Sequence, residues 1–122
     1  SIQANNYKYT QTIELSKDEY KKFLVKYDEI QKVFKFRWTL YTNGTLVLLR
    51  SYDRIVAQNI LTTELKRKSF RFNLKPTGVG YGNGPYILVQ FIEYDFIKNK
   101  AIFKLFLSDE DSEISLENLE NE

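Results

Sequence analysis

The chain has 122 residues, 43% hydrophobic and 16% aromatic, enough for one domain with a substantial core. It has no histidine, no cysteine and no methionine, which excludes disulfides, the usual neutral-pH acid–base group and the His/Cys sites that hold zinc, copper, haem or iron–sulfur clusters. No metal or other cofactor is therefore expected, and the composition points away from an enzyme. The formal net charge is only +2 at pH 7, but it is divided unevenly along the chain.

Ser1 to Asn6 is polar and is expected to fray. A start at Ser1 without Met suits a processed or excised chain, and export is the reading favoured over trimming. Tyr7 to Leu15 alternates weakly and reads as a first strand. Ser16-Lys17-Asp18-Glu19 has the form of a helix capping box, in which hydroxyl and carboxylate reciprocally satisfy two backbone N–H groups. Tyr20, Phe23, Leu24 and Tyr27 follow at helical spacing, with Lys17, Lys21, Lys22 and Lys26 on the opposite side. The spacing predicts an amphipathic helix from about Lys17 to Ile30.

Val33 to Tyr41 and Thr45 to Ser51 read as a hairpin around Asn43-Gly44, a dipeptide that tolerates positive φ at both turn positions. A two-residue loop sets Leu40 opposite Val47, Trp38 opposite Leu49 and Arg37 opposite Arg50. Asp53 to Lys66 fits a capped helix or a strand equally well. Ser69 to Lys75 alternates, with Phe70, Phe72 and Leu74 on one side, and ends at Pro76. Thr77 to Pro85 carries four of the five glycines and reads as a loop between strands. It lacks the spacing of a nucleotide-binding loop, and no capped helix follows. Tyr86 to Ile97 and Ala101 to Ser108 form a second hairpin; a turn at Asn99-Lys100 would set Phe96 opposite Phe103 and Asp95 opposite Lys104.

All 18 Lys and Arg residues lie within positions 1–108, against nine acids, a net of +9; the last 14 residues hold seven acids and no base, a net of −7. The expected organisation is one α+β domain over 1–108 and an acidic, flexible or linker-like tail over 109–122. In the domain, a twisted antiparallel sheet of five to six strands packs on one helix, in the order β-α-β-β-x-β-β-β. That order is similar to the cystatin-like and nuclear-transport-factor-like folds, which also place a helix before an antiparallel meander. No motif of either is present, so the likeness implies topology alone. No apolar run approaches the roughly 18 residues of a membrane-crossing helix.

Arg37 and Arg50 are the leading candidate site. Like charges directly opposite on a sheet are destabilising, and Lys35 shares their face, so an anion site is expected unless Glu93 or Asp95 from a neighbouring strand neutralises them. Tyr81, on the glycine-rich loop, is a candidate recognition aromatic. A second sheet face with Tyr41, Leu46, Leu48, Ile97, Ile102 and Phe106 suits a protein interface or a homodimer. The functional expectation is a non-catalytic protein-binding or assembly domain with a basic sheet face. The alternative is a nucleic-acid or polyanion-binding module with the acidic tail as competitor.

Overall fold

The computed structural model describes residues 7–64, 66–75, 84–108 and 113–119. The chain runs through nine strands: β1 (Tyr7–Ser16), β2 (Lys21–Tyr27), β3 (Ile30–Thr42), β4 (Thr45–Tyr52), β5 (Ile55–Thr62), β6 (Ser69–Asn73), β7 (Tyr86–Asp95), β8 (Lys100–Ser108) and β9 (Ser115–Leu119). They form two antiparallel sheets, one of four strands in the order β1-β8-β7-β6 and one of five in the order β5-β4-β3-β2-β9. Buried side chains from both sheets make a single apolar cluster, so the sheets face each other as a sandwich. Among the described residues none is helical, and so none offers a helix able to cross a membrane. The α+β expectation, a sheet packed on a helix, is thus replaced by an all-β architecture. The likeness in element order to cystatin-like and nuclear-transport-factor-like folds falls with it.

The expected helix fails for a local reason. Phe23 and Tyr27 fit both a helical stripe and a period of two, and β-branched Val25 between them completes the alternation. All three are buried, while Leu24 points to the opposite face. The capping-box chemistry is half present: Ser16 N–H donates to Glu19 Oε1 at 2.9 Å, and Glu19 N–H donates to the Ser16 carbonyl at 3.0 Å. With Asp18 at φ 65°, these bonds close a turn that feeds β2 instead of starting a helix. Asp28 and Glu29, at φ 47° and 61°, then reverse the chain directly into β3, with Tyr27 opposite Ile30. Asp53 and Arg54, at φ 53° and 68°, do the same between β4 and β5, which resolves the ambiguous Asp53–Lys66 segment in favour of a strand.

The β3–β4 hairpin keeps its expected register only near the turn. Leu40 opposes Val47 and Tyr41 opposes Leu46, but a bulge at Thr39 then sets Trp38 opposite Leu48, Arg37 opposite Leu49 and Phe36 opposite Arg50. A one-residue slip moves every later partner to the other face. In the β7–β8 hairpin the loop is Phe96–Asn99, with Asp95 opposite Lys100. The Asp95 carboxylate accepts the N–H groups of Ile97 and Lys98 at 2.9 and 3.1 Å. Because this loop has four residues and not two, the expected Asp95–Lys104 and Phe96–Phe103 pairs do not form, and a bulge between Phe91 and Glu93 then places Lys104 opposite Gln90. Residues 115–119, expected within an acidic tail, form β9 along β2, anchored by buried Ile114 and by a Lys26–Glu117 ion pair at 2.9 Å.

Aromatic side chains join the sheets. Phe34 packs on Phe72 and Phe36 meets Phe103 edge-on. Tyr41 stacks on Tyr94 with centroids 4.3 Å apart, and the buried indole of Trp38 donates to the Leu15 carbonyl at 2.8 Å. Near the β2–β3 and β4–β5 turns, Lys32 pairs with Asp53 at 2.9 Å and lies over the rings of Tyr27 and Tyr52, while the Tyr52 hydroxyl donates to the Leu74 carbonyl. The Asp53 carboxylate holds the Lys32 ammonium pKa above its ordinary value. Burial raises the phenol of Tyr52. Burial, and then the Tyr86 hydroxyl, push Tyr7 up to about 12.

Each of these three groups holds its proton more tightly when folded than unfolded, so each stabilises the fold fully below its unfolded pKa and progressively less as pH rises towards the folded one. Stability is expected to fall as pH rises above about 10. Urea midpoints measured across that range check this; midpoints that do not move above pH 10 would refute it.

Candidate functional site

The parity set by the short turns gives the five-stranded sheet an outer face rich in cations. On β2, Lys22, Leu24 and Lys26 point outward, opposite Lys35, Val33 and Gln31 of β3. Arg37 follows Lys35 on β3, Leu49 and Ser51 face outward from β4, and Arg54 sits in the turn after β4. Lys22 and Lys35 are directly opposed, an arrangement of like charges that costs stability. Tyr20, just before β2, lies among them: Lys35 Nζ, Arg37 Cζ and Lys22 Nζ are 4.9, 5.2 and 5.9 Å from its ring centroid.

Two open grooves meet here. One, of about 740 Å³, is lined by Lys22, Val33, Lys35, Asp53, Arg54 and Leu119 among others. The other, of about 340 Å³, is lined by Tyr20, Lys35, Arg37, Leu49, Arg54 and Val56 among others. The neighbouring carboxylates are already engaged: Asp18 with Lys17 and Arg37 at 3.1 and 3.4 Å, Asp53 with Lys32 and Glu117 with Lys26. Among the described residues, no carboxylate lies in ion-pair contact with Lys22, Lys35 or Arg54. Arg37 Nε is buried and has no hydrogen-bond partner among them. The arrangement can hold an extended anionic group by charge and by guanidinium hydrogen bonds.

Of the candidates read from sequence, Lys35 and Arg37 come together on this face. Arg50 does not. The Thr39 bulge turns it inward opposite Phe36, where its Nε donates to Asn59 Oδ1 at 2.7 Å and its guanidinium lies 4.9 and 5.4 Å from the rings of Phe70 and Phe72. Burial lowers its pKa. The alternative neutralisers do not reach it either: Glu93 is on β7 with its side chain exposed, and Asp95 is committed to its loop. Tyr81 lies outside the described residues.

The interface candidates disperse. Leu46 and Leu48 are fully buried core, Phe106 is buried beside Tyr7, and Tyr41 points inward onto Tyr94. Ile102 lies on the outer face of the four-stranded sheet, and Ile97 stands at a loop tip, 95% exposed. Tyr20, Lys22 and Arg54 escaped the sequence reading. The spacing puts the first two on a helix, and Asp53-Arg54 lacks the glycine that marks a two-residue turn. The residue between the two strand-forming runs around it was the available signal.

Antiparallel β-sandwich is the class that the fold defines. No family model, no curated protein and no solved structure matches the chain.

Replacing Arg50 by Leu removes a hydrogen bond and ring stacking but also relieves the burial of a charge. The Arg50→Leu variant is expected to lose about 1–2 kcal/mol of stability. A thermal melt checks it, and a variant as stable as the parent would show that the Asn59 and Phe70 contacts contribute nothing net.

Proposed function

We propose that the chain is a non-catalytic protein-binding or assembly domain that takes an acidic segment of a partner on the outer face of its five-stranded sheet. One observation carries the reading: Lys22 and Lys35 oppose each other around Tyr20, with Arg54 nearby and no described carboxylate in ion-pair contact with any of the three. A bound carboxylate-rich segment would relieve that repulsion and supply acceptors for Arg37. Rim charges of this kind steer encounter and confer selectivity more than raw affinity.

The second reading is a nucleic-acid or polyanion-binding module, supported by the net +9 of residues 1–108. Tyr20 separates the two. Its ring carries three cations within 6 Å, which leaves little free aromatic surface for a base to stack upon. The tail is an internal competitor in either case. Glu117 of β9 holds Lys26 at the border of the face, and Leu119 lines the larger groove.

Fluorescence anisotropy of a labelled poly-glutamate peptide and of a single-stranded oligonucleotide, each at two salt concentrations, tests the proposal. The peptide is expected to bind at low salt, and the Lys22→Glu/Lys35→Glu variant to lose at least about tenfold, about 1.4 kcal/mol. That variant keeps a like-charged pair at the same register, so its circular dichroism should match the parent. Equal peptide binding by parent and variant would reject the proposal, and tighter oligonucleotide binding would shift it to the second reading.

A further inference from the structure

The β5 strand is an edge of the five-stranded sheet. The Tyr52–Ile55 pair flanks a two-residue turn, so it exchanges hydrogen bonds, and the alternation along the ladder then directs Ile55, Ala57, Asn59 and Leu61 towards β4. The backbone groups of Val56, Gln58, Ile60 and Thr62 point away from the sheet. Thr62 N–H is taken by the Arg67 carbonyl at 2.8 Å. What remains open is a three-residue ladder centred on Gln58, with Val56 and Ile60 placed symmetrically on either side.

The side chains over this ladder are unlike those of the other edges. Val56 and Ile60 are 71% and 55% exposed, and Ile55 is 70% exposed. Edge strands are usually protected by charges or proline. The other edge strands hold charges within their spans: Lys8 and Glu14 in β1, Arg71 in β6, Glu117 in β9. The Ile55–Thr62 span holds neither a charge nor a proline.

We infer that β5 pairs antiparallel with β5 of a second copy of this chain, about a two-fold axis through Gln58. In that register Gln58 faces its own copy and Val56 faces Ile60 in both directions, so the two exposed β-branched side chains cover each other and the open N–H and C=O groups are satisfied reciprocally. Charge is complementary at the ends. Arg54 precedes the strand and Glu64 follows it, so each Arg54 comes diagonally beside the Glu64 of the other copy, within reach of long side chains. Thr62 disfavours sliding the axis to Asn59, where the end pair Val56–Thr62 would need its occupied N–H. The two five-stranded sheets then run on as one, and their basic outer faces become continuous. The pairing draws Arg54 and Val56 from the rim of the basic grooves and leaves Lys22, Lys35 and Arg37 to an anion.

Light scattering coupled to size exclusion is expected to give twice the chain mass. Gln58→Pro removes one outward N–H that the isolated chain does not use, and should give a monomer with unchanged circular dichroism. Because the chain has no cysteine, oxidation reads the register. Gln58→Cys should cross-link to itself, since hydrogen-bonded antiparallel partners place Cα atoms about 5.5 Å apart, within disulfide range. Val56→Cys alone should not cross-link, but should do so when mixed with Ile60→Cys. A monomeric parent, or a dimer that survives Gln58→Pro and does not cross-link through Cys at 58, would overturn the inference.

Discussion

Phe34, Phe36 and Trp38 stand on alternate positions of β3 and are buried, and both sheets close upon them. Phe72 reaches Phe34, Phe103 meets Phe36, and Tyr94 meets Trp38. Burying aromatic area on this scale is the main favourable term available to a chain with no disulfide and no metal ligand of the usual kind. It also dictates the opposite side of the strand. Once these three rings point inward, Lys35 and Arg37 must point outward. The basic face is a consequence of where the rings go.

The bulge at Thr39 is the second determinant. Without it, Arg50 would stand opposite Arg37 on the outer face. With it, the cations of this region are handled in two different ways. Arg50 and Lys32 turn inward and lie over rings, with Asn59 and Asp53 as their polar partners. Lys22, Lys35 and Arg37 gather outside around Tyr20. Aromatic side chains therefore accompany cations on both faces of the sheet. Only on the outer face are cations left open to an external anion.

Much of the β structure was legible because alternation was clean. The strands around Asn43-Gly44, the run from Ser69 and the pair from Tyr86 to Ser108 all follow from period-two patterning and turn residues. The segment from Lys17 to Ile30 misled because Phe23 and Tyr27 satisfy both periods, and the bonds of a capping box also close a tight turn. The bulge at Thr39 leaves no compositional mark and shifts the β3–β4 register beyond it by one residue, while in β7–β8 a four-residue loop in place of a two-residue turn shifts the whole ladder. The shift at Thr39 alone separates Arg50 from its expected partner Arg37 and puts Leu46 and Leu48 in the core instead of on a surface. β9 was hidden by its acids, although Ile114 and Leu116 carried the apolar signal. Lys35 and Arg37 share a face as expected because they lie on one strand, where parity does not depend on any partner.

The β2-to-β5 meander is built from three consecutive two-residue reversals, whereas β1 pairs with β8 near the other end of the chain. Local closures are entropically cheap and fast, and distant ones are slow. The meander is therefore expected to assemble first, with the inner rings of β3 bare until β7 and β8 arrive, an order that pulsed hydrogen exchange during refolding would reveal. During synthesis the same asymmetry has a cost. A ribosome releases Phe34, Phe36 and Trp38 well before Phe91 and Phe103, so the nascent chain carries an uncovered aromatic row until those partners emerge.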